Sequence, residues 1–191
     1  MSSRERMSPV DTAWLRMDRP NNLMQILGVM LFDGTLDVKR LERAIEVRML
    51  GHRRFVQCVV EDAAGYWWQD DPQFSIDNHL HHARLPGAAG KVELQEFVSG
   101  LASEPLDRER PLWEFHLVDN AIGGHALVMR IHHCIADGIA LVGVIMSMTD
   151  GAPGGAGRRP RPAKRHSEAA DDGDSFWEML WRPMAEVLQN P

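Results

Sequence analysis

The stretch Ile131-His132-His133-Cys134-Ile135-Ala136-Asp137-Gly138 constrains this chain more than any other, because it sets ionisable side chains between two apolar segments of different character. Ala126 to Ile131 is a short, mostly apolar run after Gly123-Gly124. A run of that length bounded by glycines suits a strand buried on one or both faces better than a helix. Ile139 to Met148 is apolar on nearly every side and reads as a helix packed into an interior. Strand, polar turn and buried helix together hold His133 on the rim of a core. A neutral imidazole there can take a proton from a substrate hydroxyl, since an unperturbed pKa of roughly 6.5 keeps both protonation states within reach near neutrality. Asp137 stands at the N-cap or first turn of the helix, better placed to brace the turn than to touch substrate. Gly138 lets the backbone pass close or take angles that a side chain forbids. Two adjacent histidines at a strand end are, in an arbitrary sequence, more often satisfied structural residues than catalysts, so the surroundings have to decide.

At 191 residues, 44% hydrophobic and 25% charged, the chain has the composition of one well-buried soluble domain. A net charge of -6 gives no basic face for nucleic acid. Cys58 and Cys134 sit in apolar runs and form no CxxC pair, so they read as buried thiols in a reducing compartment. The start has charges but no apolar leader region, and Ile139 to Met148 is too short to span a bilayer. The expected location is cytoplasmic, with peripheral contact at a membrane or lipid inclusion left open.

Taken in order, Ser8-Pro9-Val10-Asp11 has the shape of a capping box, with Ser8 as N-cap, Pro9 at the first helical position and Asp11 reaching back, opening a short helix that carries Trp14, Leu15 and Met17. Leu23 to Phe32 is a hydrophobic strand closed by Asp33-Gly34. Asp37 opens a helix with Val38, Leu41, Ile45 and Met49 on one face. Phe55 to Val60 and Tyr66 to Gln69 read as a hairpin. Phe74 to His82 invites a zinc hypothesis through His79, His81 and His82, but no cysteine or carboxylate cluster completes a ligand set, so a surface strand is expected and no metal. Val92 to Ala102 is a helix. Glu104 to Trp113 is a connector stiffened by Pro105 and Pro111 and solvated by its charges. Trp113 to Val118 pairs with the strand at 126 to 131, and His116 within it, a candidate second site histidine, reads better as a solvated strand residue. The expected organisation is a domain over 1 to 150, a flexible linker over 151 to 174, whose basic cluster could touch anionic lipid headgroups although a solvated linker is favoured, and a final helix over 175 to 191 whose Phe176, Trp177, Leu180, Trp181, Met184 and Leu188 need something to bury them.

The motif HHxxxDG, with a strand before it and an apolar helix after, resembles the active-site motif of the chloramphenicol acetyltransferase-like superfamily of CoA-dependent acyltransferases. Met7-Ser8-Pro9-Val10-Asp11-Thr12-Ala13-Trp14-Leu15, the Pro105 to Glu114 connector and the Ile131 to Gly138 site, in this order, resemble the N-terminal half of the bacterial wax ester synthase/diacylglycerol acyltransferase family over residues 7 to 150. HHxxxDG alone is shared with condensation domains and polyketide-associated acyltransferases. The resemblance implies an α/β fold, a two-layer α+β half with a mixed β-sheet covered by helices. It implies acyl transfer from acyl-CoA, as co-substrate and with no other cofactor, to a long-chain alcohol or diacylglycerol. His133 would be the general base, Asp137 and Gly138 would shape the turn, and His132 would be a structural partner. Nothing in the chain resembles the family's second half, so a C-terminal acyltransferase half is the expected partner. The competing expectations are a condensation enzyme fed by carrier-bound acyl groups and a non-catalytic lipid- or partner-binding module of the same fold.

Overall fold

The computed structural model describes residues 4–136 and 138–149. It falls into two units, Met1–Gly138 and Ile139–Pro191, each taken by itself. In the first unit the order is β1 (Arg4–Arg6), α1 (Pro9–Met17), β2 (Gln25–Phe32), α2 (Val38–Ala44), β3 (Gln57–Asp62), β4 (Gly65–Asp70), β5 (Leu80–Ala83), α3 (Lys91–Ser103), β6 (Trp113–Ala121) and β7 (Gly124–His132). Of the second unit only residues 139–149 are described, in and just after the helix α4 (Gly138–Met148). The expected linker over 151 to 174 and helix over 175 to 191 lie outside the described residues.

The strands form a three-stranded antiparallel sheet, β1-β4-β3, and a four-stranded mixed sheet, β2-β7-β6-β5. In the second, β5 runs parallel to β6 and the other neighbours are antiparallel. This is the mixed sheet covered by helices that the resemblance implies. β7 is central, and its run from Ala126 to His132 is buried residue by residue. A strand flanked on both edges and covered on both faces has no polar side, which is why its sequence shows no alternation. One face packs under α3, where Leu94 and Leu101 meet Val118, Ala121, Ala126 and Val128. On the other face the alternate residues Trp113, Phe115, Leu117, Leu127, Met129 and Ile131 are buried.

Local signals set the helices as expected. Ser8 caps α1, its side chain accepting from the Asp11 N–H, with Pro9 at the first position. Leu15 is buried while Met17 is exposed. Asp37 caps α2, and Leu41, Ile45 and Met49 form the buried stripe. The last turn of that helix, Ile45–Met49, widens to π geometry with the Leu50 N–H on the Ile45 carbonyl. The hairpin of β3 and β4 is present, although Phe55 and Val56 belong to a 3₁₀ turn before it.

The segment from Phe74 to His82 departs from the expected surface strand. Ile76–Asn78 is a 3₁₀ turn and only Leu80–Ala83 is a strand. His79 lies in the interior, its ring stacked on Trp113 at 4.5 Å and on Phe74 at 5.2 Å. Its Nδ1–H donates to the Trp113 carbonyl at 2.7 Å, so the polar group is satisfied by a residue far along the chain and burial is tolerated. Among the described residues, no three histidines, cysteines or carboxylates lie together where a metal ion could be held.

The β6–β7 turn stores strain that can be relieved. Ile122 and Gly123 both have positive φ, at 51° and 80°, as a type I′ turn demands. A β-branched side chain is a poor occupant of that conformation, and Ile122 is 48% exposed, so its packing is not needed. Ile122→Asn is expected to raise stability by about 1 kcal/mol in urea denaturation. By contrast, a Cβ at Gly124 would lie 2.1 Å from the Phe32 carbonyl oxygen, backbone that cannot yield without moving β2. Gly124→Ala is expected to cost about 2 to 3 kcal/mol in the same measurement.

Candidate active site at the end of β7

The end of β7 is tied by its backbone to both neighbours. The His132 N–H donates to the Leu112 carbonyl at 3.0 Å, just before β6, and the His133 N–H donates to the Met24 carbonyl at 2.9 Å, just before β2. The chain then turns, with the Ile135 N–H on the His132 carbonyl at 3.0 Å. Both histidines are thus fixed at the backbone, while their side chains enter different surroundings.

His132 is 3% exposed. Its Nδ1 accepts from the Cys134 N–H at 3.0 Å, which places the ring proton on Nε2. Nε2 faces the Asp18 Oδ2 at 3.7 Å, longer than a hydrogen bond. Burial pushes the imidazole pKa down to about 4, against the pull of Asp18, so His132 is neutral at ordinary pH. Asp18, at the C-terminal end of α1, also accepts from Arg108 at 2.8 Å and from the Met24 N–H at 2.9 Å. Burial raises its pKa, but the Arg108 guanidinium and the Met24 amide outweigh it and hold the carboxyl below its usual range. The connector from Glu104 to Trp113 is therefore more than a solvated spacer: Arg108 reaches back to α1, and Leu106 and Leu112 are buried.

His133 is half-buried as a residue, with its Nδ1 buried, and its ring lies against the Trp14 indole of α1 with centroids 4.5 Å apart and an interplanar angle of 18°. Cys134 is 1% exposed, and burial pushes its thiol far up, so it is a protonated packing group. Asp137 lies outside the described residues, and Gly138 opens α4.

Two residues before His132 along β7, Arg130 is 2% exposed and forms an ion pair with Glu114 at 2.9 Å. It donates to the Gln25 Oε1 at 3.2 Å and to the Glu104 carbonyl, while the Gln25 amide donates to the Ala102 carbonyl at 3.0 Å. The carbonyls left over at the end of α3 are thus satisfied by side chains of β2 and β7. Burial works to raise the Glu114 pKa, but the nearby His116 and Arg130 outweigh it and the carboxyl is held low. His116 is not the solvated strand residue expected from its alternation. Its side chain is 12% exposed, 3.5 Å from Glu114, tilted against His81 at 5.0 Å and met edge-on by Phe97 of α3.

Trp14, Asp18 and Arg108 lie beside the histidines without having been singled out as site residues. Trp14 and Arg108 lie in the two segments that carry the resemblance, which was a usable signal; their convergence on His132 and His133 is a property of the fold. A crevice lined by Asp18, Leu23, Leu106, Leu112 and His132 opens beside the site and is too tight for an acyl chain.

Comparison with known proteins bears on this geometry. The family described as wax ester synthase/diacylglycerol acyltransferase catalytic domain matches residues 7–188. A Mycobacterium tuberculosis protein provisionally named a diacylglycerol O-acyltransferase is 28% identical over 162 residues, covering 78% of this chain and 32% of the relative. The wax ester synthase/diacylglycerol acyltransferase from Marinobacter aquaeolei VT8 superposes with a TM-score of 0.60 at 27% identity, over 71% of this chain and 36% of that one. The starter condensation domain of rhizomide synthetase, solved with C8-CoA, superposes with a TM-score of 0.64 at 16% identity, over 76% and 34% of the two chains, a likeness of fold. The chain thus spans about a third of the length of these relatives.

The neutral state of His132 has a measurable consequence. Its folded pKa, about 4, lies below the ordinary value of 6.5, so between these pH values the unfolded chain binds a proton that the folded one refuses. Its contribution is fully present above pH 6.5 and is lost as pH falls toward 4, by up to roughly 3 kcal/mol. Urea denaturation across this range should show a shallower pH slope for His132→Asn than for wild type; equal slopes would contradict the assignment.

Proposed function

Because this chain belongs to the wax ester synthase/diacylglycerol acyltransferase family, we propose that it forms the first half of an O-acyltransferase that moves a fatty acyl group from acyl-CoA to a long-chain alcohol or diacylglycerol, with His133 as general base. The observation that carries this reading is the presentation of His133. Its backbone is pinned to Met24, its Nδ1 is buried beside Trp14, and the residue as a whole is only partly buried at the end of the core strand. In the proposed reaction the imidazole takes the proton of the acceptor hydroxyl as the oxygen attacks the thioester carbonyl. The tetrahedral intermediate then collapses, the C–S bond breaks, and the imidazolium returns the proton to the departing CoA thiolate.

The neighbours suit that role. His132, neutral, places no positive charge beside an imidazole that must become cationic for part of the cycle. The protonated, buried Cys134 is no competitor as a nucleophile, which favours direct transfer over a covalent acyl-enzyme. Asp137 and Gly138 are assigned the shaping of the turn into α4. No metal or further cofactor enters the scheme. The crevice at His132 is too tight for an acyl chain, and the match covers only 32% of the Mycobacterium tuberculosis relative; both support a tunnel completed by a C-terminal half. Among the described residues no helix is long and apolar enough to cross a membrane, and the proposed lipid acceptor is met at a membrane or inclusion surface.

The test is release of CoA thiol from a long-chain acyl-CoA, with and without a long-chain alcohol, by the chain together with a C-terminal half of the family. Wild type should show alcohol-dependent release, and His133→Ala should lose at least about 100-fold. Undiminished release by His133→Ala would overturn the role of His133. A strict need for a phosphopantetheinyl carrier as donor would transfer the chain to the condensation reaction.

A further inference from the structure

We infer that Trp14 is a positioning residue for His133, holding the imidazole in its reactive orientation through the stack of the two rings; this rests on the reading of His133 as the base. The His133 backbone is fixed by its N–H on the Met24 carbonyl at 2.9 Å, which leaves the two side-chain torsions as the remaining freedom. The Trp14 indole lies nearly parallel to the ring, with centroids 4.5 Å apart and an interplanar angle of 18°. A parallel aromatic face restricts rotation about both torsions while leaving the ring edge open, as a group that must exchange protons requires.

Trp14 is also placed as a platform and not as core filling. It is half-buried, whereas α1 is anchored by the buried Leu15 and, just before the helix, the buried Met7. Both ends of the helix are held independently of it. Ser8 caps the start, and Asp18 at the end is tied to Arg108 and to the Met24 amide. Met24 is the residue whose carbonyl receives the His133 N–H. The backbone of His133 and the helix that carries Trp14 are therefore fixed to the same short segment, and the distance between the rings is set by hydrogen bonds on either side of Met24.

The experiment compares Trp14→Leu, which keeps apolar bulk without a ring, with Trp14→Phe, which keeps a ring face. In the full chain with carbon-13-labelled histidine, the His133 ring resonance is assigned by its loss in His133→Ala. The stack predicts a ring-current displacement of that resonance in wild type and Trp14→Phe that disappears in Trp14→Leu. In the thiol-release assay, Trp14→Leu should lower kcat by about 10-fold with KM changed less than about threefold, and Trp14→Phe should stay within about threefold of wild type. If Trp14→Leu keeps both the resonance position and kcat, the inference is overturned. If His133→Ala stays as active as wild type, the catalytic reading fails instead, and the resonance alone decides whether Trp14 orients the ring.

Discussion

The end of β7 is held from three sides, and the arrangement of the site depends on that grip. Its amides are taken by carbonyls just before β6 and β2, at Leu112 and Met24, and Arg130 carries the restraint to the end of α3 through Gln25 and Glu104. Each neutral hydrogen bond is worth only about 1 kcal/mol net. The asymmetry matters more, because a buried guanidinium without its partners would cost several kcal/mol. Arg130 is tolerated at 2% exposure because Glu114 neutralises it and the helix carbonyls use its remaining protons. The strand cannot slide by one residue without stranding this charge, so the register that delivers His132 and His133 to their places is enforced electrostatically as well as by apolar packing.

Two adjacent histidines on that strand end have opposite fates. His132 points where water is excluded; desolvation dominates the attraction of Asp18, and the ring titrates only near pH 4. It serves as an acceptor for the Cys134 amide, a structural task that needs the neutral form. His133 stays half-buried against an aromatic face. The sequence His-His therefore places one ring in the interior and one residue only partly buried against an aromatic face. The difference comes from the turn that begins between them.

Much of this was legible from local pattern. The glycine-bounded apolar run, the Ser8-Pro9 cap and the 3.6-residue stripe of Leu41, Ile45 and Met49 are short-range signals, and each produced the element expected. The interior histidines were not legible, because their partners are distant in the chain. His79 is satisfied by the Trp113 carbonyl, 34 residues on, and His116 meets His81 through the register of a parallel pair. Alternation with apolar neighbours marks which face a residue lies on, and cannot tell whether a helix will cover that face; here α3 does. The same limit applies to Arg108, whose solvated-looking connector is recruited by Asp18 across 90 residues.

The helix α1 and its C-cap meet both histidines, by different physics. Trp14 meets His133 by ring stacking, an interaction of short range that is sensitive to angle. Asp18 meets His132 by charge across 3.7 Å, which tolerates small displacements. A tilt of α1 that left the Asp18 field on His132 almost unchanged would still misalign the Trp14 stack. The ion pair of Asp18 with Arg108 opposes such a tilt, since it fixes the helix end to the connector that leads into β6. The two segments that mark the family, at 7 to 15 and at 105 to 114, thus meet through the helix that the first begins and the arginine that the second contains. Their joint presence fixes α1 at both the Trp14 stack and the Asp18 ion pair, so the two histidines are held by one helix and one connector.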